Sequence, residues 1–87
     1  MKIEVTREDI VLGVPIMPSC CPVANAIHRL PGISSCRVYE ENIIVFIGGT
    51  KIERNTPEKV QSFIRYFDDE SRKDEDLPEP FSFELDI

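Results

Sequence analysis

The sequence lacks most of what announces a membrane, a nucleic acid or an enzyme. No apolar run approaches the roughly 18 residues that a membrane-crossing helix needs. Bases are scarce: 10 Lys and Arg stand against 16 Asp and Glu, a net charge of −6. Phosphate backbones repel such a chain, so direct nucleic-acid binding is not expected, and a basic protein surface is the natural partner. The start MKIEVTREDI carries acids and no apolar centre, so no signal peptide is expected there. The expected compartment is therefore the cytoplasm, where the three cysteines stay reduced. No segment repeats another, and 87 residues fit one domain, 1–87.

A chain of this size buries only about 60 to 65% of its unfolded surface. Domains this small often add a metal, a disulfide or a partner to hold together. The patterning that is present predicts an α+β domain with a mainly antiparallel sheet of four to five strands and two main helices. Strands are expected near residues 2–6, 35–39, 43–48, 50–53 and 81–86. Ile3 and Val5 alternate with charged neighbours, as do Cys36 and Val38, whereas NIIVFIGG is a continuous apolar run expected to be covered on both faces. Thr6 and Asp9 resemble a capping box opening one short helical turn that Gly13 ends. Between Val14 and Ser19 the prolines forbid regular structure.

Helices are expected near 22–30 and 57–68. Pro22 suits a first helical position, and Val23, Ala26, Ile27 and Leu30 form one apolar stripe that Pro31 and Gly32 stop. Val60, Phe63, Ile64 and Phe67 repeat that spacing, and Phe63, Ile64 and Phe67 are expected to pack on Ile44, Phe46 and the Phe81/Phe83 strand. Residues 68–80 read as an acidic flexible segment. Its stretch DDESRKDEDLPEP holds seven acids and two bases, a net of −5.

The candidates for chemistry crowd into PSCCPVANAIHRLPG, residues 18–32. Cys20, Cys21, Cys36 and His28 are ligand types suited to Zn2+. Adjacent cysteines are not the usual zinc knuckle, and Cys21 and His28 would lie about 10 Å apart along a helix rising about 1.5 Å per residue. Cys20, Cys21 and Cys36 make the easier trio, with His28 a distant fourth. The competing interpretation has Cys21 capping the helix and Cys36 packing as a small apolar group. A helix N-terminus also favours a thiolate, but Ile27 stands where a Cys-dependent phosphatase loop needs arginine, and His28 is too far along to act as base. IGGTK lacks the spacing of a phosphate loop. No catalytic residue is assigned.

The pattern CPVANAIHRL, followed by VQSFIRYFDD and EPFSFELDI, resembles a family of small acidic phage- or prophage-encoded proteins. These share a Cys-Pro-Val-Ala helix, a middle hairpin, a Phe-rich helix and a closing PFxFxL strand. The chain also looks like the anti-CRISPR class, inhibitors of CRISPR effector nucleases. The doubled cysteine departs from the family's single one. The resemblance implies a non-enzymatic binding protein that meets a host protein with a basic surface, such as a type II CRISPR effector nuclease, in the host cytoplasm. Such effectors hold nucleic acid in basic channels. Asp68, Asp69, Glu70, Asp74, Glu75 and Asp76 are the expected contact surface, with the hairpin around Arg37, Tyr39 and Glu41 as the fallback. The alternative is a small zinc-stabilised interaction module of phage origin.

Overall fold

The computed structural model describes residues 1–73 and 75–87. The chain runs β1 (Lys2–Val5), α1 (Arg7–Leu12), α2 (Pro22–His28), β2 (Ile33–Val38), β3 (Asn42–Ile47), β4 (Thr50–Asn55), α3 (Glu58–Phe67) and β5 (Phe81–Glu84). This is the α+β arrangement expected, with five antiparallel strands and two main helices. The strands divide into two sheets. β2, β3 and β4 form a meander, while β1 pairs with β5 from the far end of the chain, Ile3 opposite Phe83. Two local turns close the meander, whereas the outer pair meets only after α3 has carried the chain across. Phe63 of α3 lies on Phe81 at 4.7 Å between ring centroids, and Lys59 donates to the Ser82 carbonyl.

Three local rules place the helices. The capping box forms: Thr6 Oγ1 accepts from the Asp9 N–H and Asp9 Oδ2 accepts from the Thr6 N–H. Cys21 is the N-cap of α2, its Sγ accepting from the Ala24 N–H, with Pro22 first in the helix. α3 starts after Pro57 without a side-chain cap. Thr56 is directed elsewhere, donating from Oγ1 to the Tyr39 carbonyl, so it ties the helix start to the β2–β3 turn. Gly48 and Gly49 both take positive φ, the backbone a tight two-residue hairpin needs. Gly13 is needed for a different reason: a Cβ there would lie 2.5 Å from the Pro22 ring.

The core is one cluster formed by the inner faces of both sheets and the stripes of α2 and α3. Val23, Ala26 and Ile27 are buried in it, as are Val60, Phe63 and Phe67. One expectation about β3 needs correcting. The strand is not covered on both faces: Ile43 and Val45 are buried, while Ile44 and Phe46 are only half-buried on the other side. α3 therefore shares its core with Ile43 and Val45, not with Ile44 and Phe46. Strand parity decides this, because Val45 lies opposite the buried Cys36 and Ile43 opposite the buried Val38.

Candidate functional site

The four residues expected to hold zinc are placed in two pairs. Cys20 and His28 border an open groove of about 730 Å³, beside Asn25 and Arg29. Cys21 and Cys36 are buried, 6% and 1% exposed, and lie near one another. All three thiols are free. Among the described residues no three His, Cys, Asp or Glu side chains gather around one point that could hold a metal ion. As placed, neither pair completes a tetrahedral zinc shell.

Burial sets the chemistry of the interior pair. It pushes the Cys36 thiol up to about 12, and the neighbouring Cys21 thiol adds to the rise. Burial raises Cys21 too, outweighing the N–H groups of the helix start, and the negative charge of Asp68 adds to the effect. The helix end that could have made Cys21 a thiolate thus leaves it a protonated cap.

A second polar device sits by the groove. Asp9 is buried and accepts from Arg29 Nε at 3.2 Å and from Arg29 Nη2 at 2.7 Å. Burial alone would raise its carboxyl, but the hydrogen bonds from Arg29 and Thr6 outweigh it and hold the group below the usual range. The same Arg29 donates to the Glu4 carbonyl, tying β1, α1 and the end of α2 together. Every polar atom of Asp9 is thereby occupied in structure. Nothing in the sequence pointed to this pair, because Asp9 and Arg29 belong to different helices.

The acidic residues expected to meet a partner divide as well. Asp68 caps the C-terminus of α3 and is half-buried, its Oδ1 accepting from the Ile16 N–H at 3.0 Å. Asp69 Oδ1 accepts from both the N–H and the hydroxyl of Ser71, which lowers its carboxyl. Glu70, Glu75 and Asp76 are exposed. Asp74 lies outside the described residues. The segment is tied down at several points. Arg72 lies over the Phe67 ring at 4.7 Å and donates to the Phe67 carbonyl, and Tyr66 donates to the Asp76 carbonyl. Leu77 packs against the core.

A feature the sequence reading passed over lies beside these acids. Val11, Leu12, Val14, Ile16 and Met17 are all exposed, with Leu12 at 65% and Ile16 at 61%. Ile16 has a φ of 62°, a left-handed conformation that β-branched residues avoid. The available signal is the apolar composition of residues 10–18, whose first three residues end α1 and whose prolines at 15 and 18 break any regular period. Tyr39 of the fallback hairpin borders the same surface, across a groove of about 190 Å³ from Ile16.

No family model matches the chain, and neither the curated proteins nor the solved structures contain a match to it. Among the described residues no helix is long and apolar enough to cross a membrane.

Proposed function

We propose that this chain is a phage-encoded, non-enzymatic binding protein that inhibits a host defence nuclease of the CRISPR effector type, acting in the host cytoplasm. One observation carries the reading: five of the six net negative charges fall within residues 68–79, at the exit of α3. Charge so concentrated attracts a basic partner at long range. Acids beyond a helix C-terminus also oppose its dipole, at a few tenths of a kcal/mol each. The tethers at Arg72, Tyr66 and Leu77 support the same reading, because a held acidic face costs less entropy on binding than a free tail.

CRISPR effectors hold nucleic acid in channels lined by lysine and arginine, and the protein reads the backbone rather than the sequence. A rigid acidic domain seated at such a channel excludes DNA by competing for the same bases. Its association is steered by charge and slows as salt screens it. Cleavage by a panel of purified type II effectors, with and without the protein, tests the reading. Inhibition that weakens with rising salt is expected; unchanged cleavage across the panel sinks it.

A further inference from the structure

The apolar residues 11–17 stand at the junction of three grooves. Leu12 and Val14 border the large groove beside α2, and Val11 and Pro15 border a second, of about 280 Å³, against Phe67, Arg72 and Leu77. Ile16 and Met17 border the third, of about 190 Å³, against Tyr39, Ile64 and Asp68. Two of the three grooves therefore have the C-terminal end of α3 as their far wall. Several large apolar side chains exposed together in one short segment are a recognised mark of interaction sites.

The exposure is not the result of a slack loop. The Val14 N–H donates to the Cys20 carbonyl and the Cys20 N–H to the Met17 carbonyl, while Pro18 accepts from the Val38 N–H of β2. Gly13 lies against Pro22 with no room for a side chain. Ile16 is held at its unfavourable φ by the bond from its N–H to Asp68. The chain thus keeps a large apolar side chain, pointed away from the core, where glycine would fit with less strain. That same bond fixes the apolar crest to the first of the acids.

We infer that residues 11–18 and the acidic exit of α3 form a single docking surface, for a protein face that presents an apolar side chain flanked by lysine or arginine. Charge complementarity selects this occupant. The groove beside Ile16 and Met17 takes the apolar anchor, its rim carries Glu40 and Asp68, and Asp69 and Glu70 follow Asp68 in the chain to meet flanking bases. Arg65, the nearest base on α3, is already paired with Glu40 at 2.8 Å, and Arg72 is stacked on Phe67. A second copy of the chain is the wrong occupant, because a two-fold contact on the crest would bring two acidic segments of net −5 together. An anionic membrane surface is disfavoured by the same charge.

The inference rests on the proposed role as a protein binder but is tested without the nuclease. The probe is a short synthetic peptide with one phenylalanine between arginines, titrated into the isotope-labelled full chain and followed by amide chemical shifts. Saturable shifts are expected at the amides of Val14, Ile16 and Met17 and at residues 64–68. Replacing the phenylalanine by alanine at equal charge, or making Met17→Ser in the protein, is expected to weaken binding about tenfold, as loss of one anchor in a pocket does. Met17 is about half exposed, so the variant should keep the parent's spectrum and melting temperature. Equal binding of both peptides, with shifts confined to residues 68–79, overturns the inference. So does sedimentation of the protein with phosphatidylcholine–phosphatidylserine vesicles. Should the crest bind the peptide while every effector cleaves normally, the nuclease reading fails and the docking surface stands. Should Met17→Ser inhibit a nuclease as well as the parent, the docking surface fails and the inhibitor reading stands.

Discussion

Ile16 and Cys21 lie a few residues apart in the chain, yet they have opposite fates. Cys21 turns inward, caps α2 and joins the core; Ile16 turns outward and stays 61% exposed. The difference lies in how each is held. Residues from 21 onward are fixed by burial, with Val23, Ala24 and Ile27 fully enclosed. Residues 11–18 are fixed by backbone hydrogen bonds and by Asp68, with their side chains left over. Apolar composition alone therefore does not identify core, and an apolar segment ordered without burial is available for a partner.

The largest effect should fall on the buried side of this comparison. Phe63→Ala removes a ring packed between Phe67 and Phe81 and should cost about 3 to 5 kcal/mol, most of the stability of so small a domain. Chemical denaturation measures it. A midpoint equal to the parent's would mean that α3 does not seal the core.

Asp9→Asn comes next, at about 1 to 2 kcal/mol near neutral pH, since Arg29 is half exposed and solvent screens part of the pair. The pH dependence has a definite sign. The folded carboxyl sits below its ordinary value near 3.8, so its contribution is complete above about pH 4. It is lost as pH falls through the lower folded value. Parent and variant should therefore converge in stability below pH 4, followed by thermal melts from pH 7 to 2. Parallel curves throughout that range would show the ion pair to be idle.

A smaller effect of opposite sign is expected on the exposed side. Ile16→Gly relieves a left-handed β-branched residue and, after the entropy of glycine, should stabilise by up to about 1 kcal/mol. Met17→Ser should leave the melting temperature within about 0.5 kcal/mol of the parent, as surface changes do. A marked loss in either variant would mean that the crest is part of the core after all. Chelation is expected to leave the melting temperature unchanged, because among the described residues no three His, Cys, Asp or Glu side chains gather around one point. Stoichiometric zinc in protein purified without chelator, with a melting temperature that falls when it is removed, would show the Cys20–Cys21 turn in a different arrangement.

What the sequence made legible follows from the range of each interaction. The stripes of α2 and α3, the Thr6–Asp9 box and the Cys21 cap depend on residues within one or two turns, and these were read correctly. The inward face of β3 was misread, because an unbroken apolar run carries no alternation to say which side is covered. The division into two sheets depends on β1 finding β5 across the whole chain, which no local pattern encodes. The Asp9–Arg29 pair was hidden for the same reason. The acidic residues were legible as a group, but their separate tasks were not: Asp68 serves Ile16 and Asp69 serves Ser71, whereas Glu70, Glu75 and Asp76 face solvent.

The most direct test joins charge and function in one assay. Asp68, Asp69, Glu70, Asp74, Glu75 and Asp76 are replaced together by Asn or Gln, and the variant is compared with the parent in cleavage by a type II effector nuclease at low and moderate salt. The parent should inhibit, less strongly as salt rises, while the folded but neutralised protein associates slowly and loses both the inhibition and its salt dependence. A neutralised protein that inhibits as well as the parent at low salt, or a parent that leaves cleavage untouched, would contradict the central claim.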